Sequence, residues 1–141
     1  MSNIVSLFLF LSIVSLYDYR THKIPNTHNL IAAVAGLIFC YERQGMSYVT
    51  ASMIRAALVI MILLPLFIVK SLGAGDVKLI SVIAIYLSLE KVFQIFILGI
   101  FLSLLPLTQM IIAKKNMKNT RIPMAPCFMV AALLVCLKEV I

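Results

Sequence analysis

The run Leu58-Val-Ile-Met-Ile-Leu-Leu-Pro-Leu-Phe-Ile-Val69 passes straight into Lys70-Ser-Leu-Gly-Ala-Gly-Asp-Val-Lys-Leu79. An uncharged apolar segment meets a glycine-punctuated turn, and an aspartate stands where the next apolar run begins. The rest of the chain also alternates apolar runs with short polar loops, without an internal repeat. Of its 141 residues 63% are hydrophobic and 12% charged, where a soluble domain is roughly half apolar and a quarter charged. A chain this short keeps too much surface to hide that much apolar area in one core. The composition therefore predicts an all-α polytopic membrane protein in a single domain spanning 1–141.

A membrane helix needs about 17–25 mostly apolar residues, fewer when flanking side chains snorkel. Six segments qualify, near residues 3–19, from the Asn26–Thr27 cap to about 41, 52–69, 76–89, 92–113 and from Pro126 to about 137. Pro25 stops the first, and Thr27 or Asn26 is placed to cap the second. Ala32, Ala33, Ala35 and Gly36 give the second a small-residue face for close packing. Residues 48–55 read as an interfacial piece or an extension of the third. Pro65 is expected to kink the third and Pro106 to bend the fifth. Glu90 and Lys91 are expected at a tight turn.

Charge orients the helices. Met1-Ser-Asn carries no side-chain charge, whereas Arg20 and Lys23 follow the first apolar run, so that run reads as a retained helix rather than a cleaved signal. With the N-terminus outside, the inner loops hold Arg20, Lys23, Lys70, Lys78, Lys114, Lys115, Lys118 and Arg121. The outer side holds only Arg43, Arg55, Lys91 and Lys138, the direction that the positive-inside rule requires. The net charge of +7 is thus first a topology signal. Nucleic-acid binding is the poorer reading, since the basic residues are scattered among short loops. Cys40, Cys127 and Cys136 lie in apolar runs without paired spacing and read as small buried hydrophobes. No metal site or cofactor is expected. His22 and His28 read as loop histidines.

The same orientation puts Asp18 and Asp76, the only two aspartates, on the cytoplasmic face, and Glu42, Glu90 and Glu139 on the other. Two carboxyl groups sharing one proton can hydrolyse a peptide bond without a metal or a side-chain nucleophile. One takes a proton from water while the other polarises the scissile carbonyl. Taken singly, each aspartate has a plainer reading. Asp76 could cap a helix, and Asp18 could pair with Arg20 or Lys23 at the membrane surface. Gly73 and Gly75 would allow unusual dihedrals and close approach of a substrate strand, or would be an ordinary flexible loop. Lys78 would tune the field of the site or, preferably, snorkel. Asp76 lies at a helix N-terminus and Asp18 at a helix C-terminus, so the macrodipoles place the shared proton on Asp18.

The residues Gly73-Ala-Gly-Asp76, followed by Lys78 and Leu79, resemble the motif of the type IV prepilin peptidases, aspartic proteases of the bacterial inner membrane. The window Asp18-Tyr-Arg20 through Ile24-Pro25-Asn26 is similar to the family's first aspartate region. Ile122-Pro-Met-Ala-Pro126 resembles, more weakly, an element opening its last helix. The resemblance covers nearly the whole chain and is closest to the small enzymes of tight-adherence (Flp-type) pili. It implies that Asp18 and Asp76 are catalytic, with Gly73, Gly75, Lys78, Pro25 and Asn26 shaping the site. Implied substrates are prepilins or pseudopilins, whose basic leader is cut on the cytoplasmic side after a glycine. The Lys- and Arg-rich loops would meet anionic lipid rather than the leader. The methylating domain of larger members is not expected here. Archaeal-type preflagellin peptidases and presenilin-like proteases share the second motif and remain alternatives. A small transporter or a pilus assembly subunit is the alternative of another class.

Overall fold

The computed structural model describes residues 2–21, 26–70, 72–112 and 124–138. Within them the chain forms six α-helices and no strand: α1 (Ser2–Thr21), α2 (Asn26–Gln44), α3 (Met46–Ile68), α4 (Ala74–Tyr86), α5 (Leu89–Ile112) and α6 (Ala125–Leu137). Two of them contain segments long and apolar enough to cross a membrane, Ile4–Thr21 and Met46–Ile68; α6 is apolar but shorter. Many large apolar side chains face outward, among them Met61, Ile68, Val69, Phe101 and Leu105. An apolar exterior of this kind needs a cover other than water.

The helices differ from the expected ones mainly at their ends. The second begins at Asn26, so Asn26 is its first helical residue rather than the cap before it. Residues 48–55 belong to α3, which starts at Met46 after Gly45 turns the chain with φ 74°, a conformation that favours glycine. The helix also runs on through Pro65 to Ile68. The turn after α4 falls at Leu87 and Ser88, and Glu90 lies in the first turn of α5. Lys70, in a left-handed conformation with φ 60°, reverses the chain between α3 and α4. The basic stretch from Lys114 to Arg121 lies outside the described residues, as do His22 and Pro25.

The central helix is α4. It packs against α1, α2, α3 and α5, and Val77 together with every residue from Leu79 to Ile85 is buried. That explains its nearly unbroken apolar sequence, since a helix covered on all sides has no polar face. It runs parallel to α2: Lys78 meets Asn26 at one end and Cys40 meets the Ile85 carbonyl at the other. The small-residue face of α2 does pack closely. Gly36 lies where a Cβ would come within 2.7 Å of the Tyr86 ring, whose hydroxyl donates to the Ala32 carbonyl at 2.7 Å.

The last carbonyls of α4 lack helical partners, as at any helix C-terminus, and two of them find partners on other helices. Arg55 Nε donates to the Ala84 carbonyl at 3.3 Å and the Cys40 thiol to that of Ile85 at 3.6 Å. Arg55 is itself held by Ser52 Oγ at 2.8 Å and lies over the Tyr48 ring. This polar knot fixes α4 at the end opposite Asp76, so the helix cannot slide without breaking bonds at its far end.

Candidate active site

The mouth of α4 carries one half of the site. Gly73 precedes the first turn with extended dihedrals (φ −74°, ψ 147°), and Asp76 is the third helical residue. Neither Gly73 nor Gly75 has a positive φ. The expectation that both serve unusual dihedrals is therefore corrected. What Gly73 supplies is room: a Cβ there would fall 2.8 Å from Asp76 Oδ2. The Gly73 N–H donates to the Asp76 carboxylate, as the third residue of a capping box reaches back to the residue that opens the helix. Asp76 is thus both a helix-terminus group and a carboxyl held in one orientation. Gly75 is half-buried in the same turn.

Substituting Gly73 by alanine should leave the helices in place, because only a side-chain oxygen obstructs the new methyl. The carboxyl must rotate, and the peptidase activity expected from the sequence should fall by about tenfold or more if Asp76 is one of the reacting groups, since a small misplacement of such a group is costly. Circular dichroism unchanged with activity reduced is the expected pair of readings; full activity would show that the orientation of Asp76 does not matter.

The other half comes from α1. Asp18 is 6% exposed, one turn before the helix ends, and its Oδ2 accepts the Ala125 N–H at 3.0 Å. Ala125 opens α6 and is followed by Pro126, which has no N–H to offer. Asp18 therefore acts as an anion partner for the N-terminus of a helix far from it in sequence. A carboxylate oxygen makes a strong bond to a helical N–H that has no partner in its own helix.

The two carboxyl groups lie within electrostatic reach of each other. Asp76 sits in the polar segment before the apolar part of α4 and outside both candidate spans. Burial and then the neighbouring Asp18 charge push it up from 3.8 to about 6, against the lowering effect of the Gly73 N–H. The macrodipoles alone put the shared proton on Asp18; the structure adds that Asp76 holds its own proton more firmly than a free carboxyl does. Asp18 does end its own helix, but it also faces the N-terminus of α6.

Of the residues expected to shape the site, Lys78 does not snorkel freely. It is exposed, and its Nζ donates to Asn26 Oδ1 at 2.9 Å, fastening α4 to the first residue of α2. Asn26 serves the same clasp. His28 stacks obliquely on Tyr17, ring centroids 5.3 Å apart, which ties α2 to α1. The sequence reading put Ala125 in the Ile122–Pro126 element that opens the last helix, but not against Asp18. A backbone N–H carries no residue signature of the acceptor it will meet.

Residues 5–108 match the family model described as the type IV leader peptidase family, a segment that includes Asp18 and Asp76. The chain belongs to the type IV leader peptidase family. No curated protein and no solved structure matches it. The match makes the protein one of a peptidase family whose activity is of the prepilin-leader type. It ends before α6, so the helix that supplies the Ala125 N–H lies beyond the matched segment.

Proposed function

We propose that this leader peptidase family member is a membrane aspartic endopeptidase that removes the basic leader from prepilins or pseudopilins at the cytoplasmic face, with Asp18 and Asp76 as its catalytic pair. The observation that carries this reading is the meeting of two carboxyl groups at one end of the bundle, one accepting the Ala125 N–H and the other raised by burial and by its neighbour's charge. In this reading Asp18 takes a proton from water as the oxygen attacks the scissile carbonyl carbon. Asp76 gives its proton to the carbonyl oxygen, which produces a neutral tetrahedral diol. The diol collapses as Asp18 returns its proton to the leaving nitrogen and Asp76 recovers one from the diol, so the pair ends as it began.

The six helices are taken to cross the membrane alternately with the N-terminus outside. Support comes from the outward-facing apolar side chains and from the distribution of Lys and Arg. Asp18, Asp76 and the start of α6 then share the cytoplasmic side. Among the alternatives, a transporter would place such carboxyls near mid-membrane. Here they stand in the last turn of α1 and the first turn of α4.

The reading is tested with the full chain in lipid vesicles and a synthetic prepilin segment spanning leader and helix. Mass spectrometry should find two fragments, cut after the glycine that ends the leader. An intact segment after prolonged incubation would refute the assignment.

A further inference from the structure

Asn29 is 5% exposed, yet neither its Oδ1 nor its Nδ2 has a hydrogen-bond partner. No other described side chain has atoms so buried and so unpaired. Leaving a buried amide unpaired is costly, and a leucine would fill similar space without that cost. An amide that is poor for the resting fold is the kind of group expected to find its partner during function.

Its position says which function. Asn29 lies in the first turn of α2. That turn is clasped on one side to α4 by Asn26 and Lys78, two residues beyond Asp76. On the other side it is tied to α1 by His28 and Tyr17, the residue just before Asp18. The unpaired amide therefore belongs to the turn that bridges the two helix ends bearing the carboxyl pair. Neither clasp is part of the buried core: the Lys78–Asn26 bond is exposed and Tyr17 is exposed, so a chain entering there would need only these contacts to yield.

We propose that the Asn29 carboxamide binds the backbone of the extended peptide that lies beside the Asp18–Asp76 pair. A carboxamide presents a donor and an acceptor side by side. One residue of an extended strand presents its own N–H and C=O on the same side, so the two match with both bonds made. Recognition of this kind reads main chain rather than side chains. It holds the segment in register without asking for a particular residue there. The inference rests on the proposed peptidase function and names what positions its substrate.

The experiment compares wild type with Asn29→Leu in vesicles, using the leader-spanning peptide and copies N-methylated at one backbone nitrogen at a time. Asn29→Leu should unfold at the same temperature as wild type or higher. Its kcat/KM should be lower by about tenfold to a hundredfold, the worth of one or two buried hydrogen bonds. One N-methylated peptide should lose a similar factor with wild type and lose nothing further with the variant. Equal cleavage by the two proteins would overturn the inference. So would an N-methyl scan with the same losses in both, which would leave Asn29 holding only water. Should the leucine variant fail to insert, Asn29→Ala carries the same comparison. A wild type that leaves the unmodified peptide uncut would instead sink the peptidase reading itself.

Discussion

Asp76→Asn is expected to leave the protein inserted and folded while abolishing leader removal, and Asp18→Asn to do the same. A lost acid or base costs about a hundredfold to ten-thousandfold, and because the two carboxyls act as one unit, each single change should cost as much as the double change. The structure explains why folding survives. The asparagine oxygen at 18 still accepts the Ala125 N–H, and that at 76 still accepts the Gly73 N–H. At position 76 the substitution should even stabilise. The folded carboxyl holds its proton up to about pH 6, the free one only to 3.8. The fold therefore binds more protons across that window, and wild-type stability falls as pH rises through it. Near neutral pH the asparagine variant escapes a penalty of up to about 3 kcal/mol. Its advantage in thermal midpoint should shrink toward zero as pH drops to about 4. In Asp18→Asn the Asp76 carboxyl loses the charge that helps raise it and should titrate lower, as followed by carboxyl carbon-13 chemical shifts. Cleavage at the wild-type rate by either variant would remove the pair from the mechanism.

The second large effect comes from packing rather than chemistry. Gly99 is buried in α5, and a Cβ there would fall 2.3 Å from Phe128 Cδ1 and 2.5 Å from Cε1. Phe128 is 1% exposed and stacked on Phe96, with ring centroids 6.5 Å apart, so it has nowhere to retreat. We expect Gly99→Ala to destabilise by about 1–3 kcal/mol, the usual cost of overfilling a core. Activity should fall as well, because Phe128 lies one turn from Ala125 and any displacement of α6 moves the N–H that holds Asp18. Trimming the ring should relieve the clash, so the Gly99→Ala/Phe128→Leu double variant should recover part of both losses. Thermal unfolding with the peptide assay measures this. Unchanged stability in Gly99→Ala would mean that α5 and α6 are not so tightly apposed.

The contrast between Gly73 and Lys78 shows how far reading residues in order can go. Gly-Ala-Gly-Asp announced a helix start with a carboxyl at its mouth, because glycine and a short acidic side chain have strong local preferences. Why Gly73 is a glycine was not visible. Its dihedrals are ordinary, and the reason is the Asp76 oxygen that its missing Cβ makes room for. Lys78 looked like a snorkelling charge, since a sequence shows length and charge but not which acceptor lies in reach. Asn26 is far away in the chain and near only in space.

The sequence by itself determined that this is an all-helical chain with an apolar exterior, that its family is that of the type IV leader peptidases, and that Asp18 and Asp76 are the residues to test. Those conclusions rest on composition, local turn chemistry and motif spacing, which are properties of neighbouring residues. Only the tertiary structure decided how the two aspartates differ. Asp18 accepts the Ala125 N–H of α6, whereas burial and a neighbouring charge raise Asp76 above a free carboxyl. Electrostatics sums over everything close in space, and the helix that meets Asp18 begins more than a hundred residues later in the chain.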